Sequence, residues 1–227
     1  MANSHEQRVV DTTMSSKNHA RSLIKQMKNN AEDLVEELGL SPEVKYDLLS
    51  EMYSSEPTLR PIDLLGLDKL AEKGKTQPTT GKVTLKAKTV TEGQFRNLTF
   101  IRDLAPVVTD EPLHLLGENT APDPSESVLA ALGACLAVGY MANASQRGIA
   151  LSEITIEIEG DIDVSAVWGL GDTSEEQVAG FTAVRVKAHL VGNASREELA
   201  DIVEWANKWS PVANTLRNNV TVSATLA

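Results

Sequence analysis

Apolar residues recur three or four apart from Ser16 to about Gly74. Leu23, Ile24, Met27, Ala31, Leu34 and Leu38 fall on one stripe of a 3.6-residue period, which predicts an amphipathic helix closed by Gly39. A second helix is expected over "SPEVKYDLLSEMY", with Ser41 as N-cap and Pro42 in the first turn, and a third, shorter one over "RPIDLLGLDKLAEKGK". The segment "GKTQPTTGK" is punctuated by Gly, Pro and Thr, and after it the period changes from 3.6 to 2. This predicts a boundary near residue 80, with a helical extension and linker over 1–80 and a β-rich domain over 81–227.

In "KVTLKAKTV" Val83, Leu85 and Ala87 alternate with Lys82, Thr84, Lys86 and Lys88, as in a strand with one wet face. A turn at "TEG" and the run "QFRNLTFIR" predict its hairpin partner, and "APVVTDEP" supplies a third strand before the turn-rich loop "LHLLGENTAPDPSE". Further along, "EITIEIEGDIDV" and "FTAVRVKAHLV" alternate in the same way. "SREELADIVEWANKW" carries Leu199, Ile202, Val203 and Ala206 on one helical face and is ended by Pro211, and the alternating "VTVSATL" closes the chain. The expected order is three helices, then βββ, α, ββ, α, β. Hairpin-joined strands with two helices gathered on one face make an α+β fold.

The longest helix is expected over "PSESVLAALGACLAVGYMANASQRG", from Pro124 to Gly148. Its start is marked by Asp123 as N-cap, Pro124 at the first helical position and Glu126 in capping-box spacing. The only cysteine, Cys135, follows about three turns later, beyond the first turn where the helix dipole stabilises a thiolate. A reactive Cys135 therefore requires a tertiary neighbour, and a guanidinium has the right charge. The alternative is a small apolar residue packed among Ala130, Ala131, Gly133, Ala134, Ala137, Gly139, Ala142 and Ala144. Such a surface suits a tight helix pair or a dimer core. Glu126 is open to two readings in the same way, a cap or an acid–base group.

Composition narrows the function classes. A chain of 227 residues with 41% hydrophobic content has enough apolar surface for a core. The net charge of -11 repels nucleic acid and anionic membrane as main partners, leaving small molecules and proteins. "MANSHEQRVVDTTMSSKNHA" has no apolar signal region and no run reaches about 18 uninterrupted apolar residues, so a cytoplasmic protein outside the membrane is expected. One cysteine excludes an internal disulfide. His5, His19, His114 and His189 show no metal-ligand spacing, and neither a metal nor a cofactor is expected.

Two segments carry a family resemblance. "APDPSESVLAALGACLAVGYMANASQRGIALSEITIEIEGDID" resembles the osmotically inducible protein C and organic hydroperoxide resistance (OsmC/Ohr) family, close to the branch that reads Pro-Ser-Glu-Leu-Leu-Leu-Ala-Ala-Leu-Gly-Gly-Cys. "DEPLHLLGENTAPDP" and "NKWSPVANTLRNNVTV" are similar to it as well. The latter corresponds to a segment that usually reads Cys-Pro-Val followed by Asn-Thr-Leu-Arg. The resemblance runs from about Gly81 to Ala227.

It implies an intertwined homodimer with two long central helices per subunit, wrapped by curved sheets. It also implies thiol-dependent reduction of organic hydroperoxides: a first cysteine becomes a sulfenic acid, a second condenses with it to a disulfide, and an external dithiol restores both. Cys135 falls on the first position and Ser210 on the second. Serine cannot resolve a sulfenate by a disulfide, so an external thiol must do so. Where the peroxidase branches place a glutamate after the proline, this chain has Ser125, with Glu126 next. By location Arg102 is the preferred activating arginine and Arg96 the other candidate. Arg217 either approaches the pocket or caps the preceding turn, and His114 lies in the solvated loop before the helix. The expected site is Cys135, Arg102, Ser210 and Glu126. The leading function is a one-cysteine hydroperoxide reductase. The alternatives are a non-catalytic protein binding a small apolar molecule, and a scaffold acting through residues 1–80.

Overall fold

The computed structural model describes residues 58–174 and 179–226. These belong to one compact unit. The two helices expected over 23–38 and 41–53 lie outside the described residues.

The third expected helix is α1, Leu64–Thr76; Asp63 caps it by accepting from the Gly66 N–H, and Lys73 and Lys75 occupy its last turn, where cations complement the helix dipole. The first sheet is antiparallel in the order β1 (Lys88–Gly93), β2 (Arg96–Phe100), β3 (Val107–Thr109). The strand predicted from residue 82 starts only at Lys88, which pairs with Phe100, the last residue of β2. Among the described residues, 82–87 thus have no strand beside them, and Val83 and Leu85 are 74% and 89% exposed: alternation permits a strand, but the neighbouring strand supplies the hydrogen bonds. The hairpin turn also comes later than "TEG". A bulge between Thr91 and Gly93 lengthens β1, and the chain reverses at Gln94, in a left-handed conformation (φ 47°).

The second sheet is a long antiparallel pair, β4 (Leu151–Asp163) and β5 (Gly180–Gly192). The Leu59 N–H donates to the Leu151 carbonyl at 2.7 Å, which ties the segment before α1 to the start of β4. Ile154 stands opposite Leu190 and Ile156 opposite Ala188, and all four pack on the core. The other face carries the ion pairs Lys187–Glu157 at 3.2 Å and Arg185–Glu159 at 3.3 Å. Alternate positions thereby sort to opposite faces, as the pleat requires.

The long helix α2, Pro124–Gln146, starts as the sequence predicts. Asp123 accepts from the Glu126 N–H at 2.8 Å, and Glu126 accepts from the Asp123 N–H at 2.9 Å, satisfying two backbone donors. Leu132, Leu136, Tyr140 and Ala144 form its buried stripe. They meet Leu151, Ile202, Ala206 and Ala213 in the core. Ala134 is exposed, and Val138, on the same side of the helix, is 69% exposed. By length and composition α2 would suffice to cross a membrane; in this domain it packs against β4 and the following helix.

That helix is α3, Arg196–Trp209, opened by a Ser195–Glu198 capping box. It ends before Pro211, as expected. Pro211 is also the first residue of a helix the sequence reading did not anticipate, α4 (Pro211–Arg217), for which Ser210 is the N-cap. Proline breaks a helix from inside but starts one well, because its missing N–H is not needed in the first turn. The closing alternation does not form a strand. Among the described residues no third strand joins β4 and β5, and Val220 and Val222 are exposed.

Candidate active site

The site arises where α2 meets the end of α3. Gly139 faces Ala206 so closely that a Cβ on residue 139 would lie 2.8 Å from the Ala206 Cβ. The small-residue run in α2 permits this approach. Cys135 lies four residues before Gly139 and Ser210 four residues after Ala206, so antiparallel helices bring the second pair together one turn from the first. The Ser210 hydroxyl donates to the Cys135 sulfur at 3.1 Å. Cys135 is half-buried with a free thiol, and Ser210 is 4% exposed.

Ser210 holds its place through its helical duties. Its Oγ accepts from the Ala213 N–H at 3.1 Å, capping α4, and its backbone terminates α3. Arg217 takes the capping alternative: Nη1 donates to the Asn207 carbonyl at 2.9 Å and Nη2 to the Asn207 Oδ1, satisfying acceptors near the end of α3.

Among the described residues none of the other candidates hydrogen-bonds to this pair. Glu126 is engaged in the capping box, and Ser125 stands beside it in the first turn of α2. Arg102 sits exposed in the turn between β2 and β3 with φ 52°, and among the described residues its guanidinium forms no hydrogen bond or ion pair. Arg96 is occupied: Nε donates to Glu92 at 2.8 Å and Nη1 to the Thr120 hydroxyl at 2.7 Å. His114 lies on a single 3-10 turn, Leu113–Leu115, and is exposed.

Arg96 belongs to a network that the sequence reading missed. The Thr120 hydroxyl donates at 2.8 Å to Asp110, which also accepts from the Thr120 and Glu111 N–H groups at 3.0 and 2.9 Å. These donors, the Thr120 N–H foremost, hold the Asp110 carboxyl below its usual range. Burial, together with the charges of Asp123, Asp110 and Glu126, pushes Glu111 up. A crevice of about 240 Å³ lined by Glu92, Gly93, Gln94, Arg96, Asp110 and Glu118 borders this network and does not include Cys135. No local spacing announces it, since Asp110 and Thr120 stand at opposite ends of a loop. Among the described residues no cluster of three or more His, Cys, Asp or Glu is arranged to hold a metal.

The profile of the family described as OsmC-like protein matches residues 117–225, a span that contains Cys135, Ser210 and every element from α2 to α4. These residues belong to the OsmC-like family. The fold agrees with that of an OsmC-like protein from Mycoplasma pneumoniae, with a TM-score of 0.51 at 14% identity over 60% of this chain and 89% of that one. It agrees likewise with an OsmC-like protein of unknown function from Vibrio cholerae, with a TM-score of 0.50 at 13% identity over 59% of this chain and 94% of that one. No curated protein matches the chain. The OsmC-like domain described here thus has an α+β architecture and a single cysteine.

Proposed function

We propose that the protein reduces organic hydroperoxides with one cysteine, Cys135, and an external thiol. One observation carries the reading: the residue standing where the OsmC/Ohr resemblance expects a second cysteine, Ser210, touches the Cys135 sulfur at 3.1 Å. In this reaction the Cys135 thiolate attacks a peroxide oxygen, the S–O bond forms as the O–O bond breaks, and the alcohol leaves with a proton. The sulfenic acid condenses with an external thiol, releasing water and leaving a mixed disulfide. A second thiol attacks that disulfide, freeing Cys135 and an external disulfide.

In this proposal Arg102 supplies positive charge toward the reacting peroxide oxygen, and Glu126 holds the first turn of α2. Two copies of the chain pack through the exposed small-residue face of α2 as a homodimer. The protein works in the cytoplasm, on small apolar hydroperoxides, without nucleic acid, membrane or cofactor. Residues 1–80 form an extension to the domain over 81–227.

The test is peroxide consumption by the full chain with and without added thiol. The parent should turn over only with thiol, and Cys135→Ser should reduce the rate to that of the buffer. Equal rates in parent and variant would refute the reading. Ser210 itself favours a second one, in which the domain binds a small apolar molecule without turnover. Parent protein that is inert to hydroperoxide yet binds such a molecule would select it.

A further inference from the structure

We infer that Ser210 is a positioning residue for the Cys135 sulfur, its hydroxyl supporting negative charge on an atom to which no guanidinium of the described residues hydrogen-bonds. A hydroxyl has one proton to give and lone pairs to accept with. The Ala213 N–H, fixed in the first turn of α4, takes up the accepting side at 3.1 Å. The proton is left to point at the other neighbour, the sulfur at 3.1 Å. Both ends of the contact are held. Ser210 is pinned as the junction of α3 and α4, and Cys135 by the close approach of α2 to Ala206.

Ser210 is 4% exposed, so water competes little for this proton, and a hydrogen bond to an ionised acceptor is stronger than one to a neutral acceptor. None of the arginines considered above makes this contact: Arg102 is exposed in the β2–β3 turn and bonds to no described residue. Arg96 is committed to Glu92 and Thr120, and Arg217 to Asn207. Within the chain as described, the group that favours the reactive form of Cys135 is a neutral hydroxyl.

This inference rests on the proposed reductase only for its role in turnover; the hydrogen bond is testable without peroxide. The probe is iodoacetamide alkylation of Cys135 in the full chain as a function of pH. Ser210→Ala should slow alkylation roughly three- to tenfold near neutral pH, the worth of one buried hydrogen bond, and the two rates should converge at high pH, where the thiol is ionised without help. Ser210→Thr keeps the donor and the cap, and should restore the parent profile. Ser210→Asp keeps a capping acceptor but has no proton to donate at neutral pH, so it should be at least as slow as Ser210→Ala. It preserves the test if the alanine variant fails to fold.

Alkylation of Ser210→Ala at the parent rate would overturn the inference. So would slowing by the same factor at every pH, which marks altered access instead of lost charge support, or failure of Ser210→Thr to restore the profile. A protein that shows the predicted alkylation profile but consumes no hydroperoxide keeps this inference and loses the reductase. One that turns over hydroperoxide with an unchanged alkylation profile does the reverse.

Discussion

Replacing Gly139 by alanine tests the contact on which the site is built. On an isolated helix the change is favourable by about 1 kcal/mol, because glycine is the poorer helix former. Here the new methyl would lie 2.8 Å from the Ala206 Cβ and 3.6 Å from its Cα, whereas carbon atoms settle at about 3.5–4.0 Å. The first distance forces α2 and α3 apart by roughly 1 Å, and overpacking of this kind costs about 1–3 kcal/mol. The balance is a net destabilisation on the order of 1 kcal/mol. Ser210 and Cys135 lie one turn from the wedge, so their contact should lengthen from 3.1 Å to about 4 Å, the outer limit for a hydrogen bond to the larger sulfur atom, where it is much weakened. Urea titration should therefore show a lower midpoint for Gly139→Ala, and iodoacetamide should alkylate its Cys135 at the rate expected of Ser210→Ala. Adding Ala206→Gly moves the methyl across the interface and should recover the alkylation rate, with a favourable coupling energy of roughly 0.5–3 kcal/mol in the double-mutant cycle. Gly139→Ala that gains the full helix-propensity increment and leaves Cys135 reactivity unchanged would refute the contact.

Two further outcomes follow from the described residues. The Asp110 carboxyl is held below its ordinary value, so its contribution to stability is present above about pH 4 and lost as the pH falls through its lowered folded value. Urea midpoints should drop more steeply between pH 5 and pH 2, roughly, for the parent than for Asp110→Asn, and parallel curves would contradict this. Deleting residues 1–78 should leave a cooperatively unfolding β-rich domain, while deleting 1–55 should be milder, because it spares the Leu59–Leu151 hydrogen bond. Cooperative unfolding that survives only the shorter deletion would move the boundary upstream of α1.

Local signals in the sequence carried most of the described fold. The capping box at Asp123 and Glu126, the alternation of Ile154, Ile156 and Ile158, and the apolar face of α3 are each written within a few residues, and each element formed where its pattern lies. Where pattern and structure part, the missing ingredient is non-local. Residues 82–87 and 220–226 alternate as strands do but have no strand beside them in the described chain. Helix α4 was hidden because Pro211 reads first as a stop, and its role as a start depends on Ser210 turning its side chain back onto the Ala213 N–H. Cys135 stood out as the only cysteine, and the resemblance pointed to Ser210. Their contact depends on Gly139 meeting Ala206 across 67 positions of sequence, a distance that no local period encodes. The Arg96–Thr120–Asp110 network was illegible for the same reason: its members belong to a hairpin and a loop whose adjacency is tertiary.

Intact mass after brief exposure to one equivalent of cumene hydroperoxide tests most directly the claim that Cys135 is a reactive sulfur with no internal resolving partner. The parent should rapidly gain one oxygen, mapped to Cys135 by trapping with dimedone. Ser210→Cys should instead lose two free thiols by forming an intramolecular disulfide, with no covalent dimer on a non-reducing gel. A parent whose mass does not change, together with a Ser210→Cys variant that keeps both thiols or cross-links only between molecules, would return Cys135 to a small residue packed in a helix.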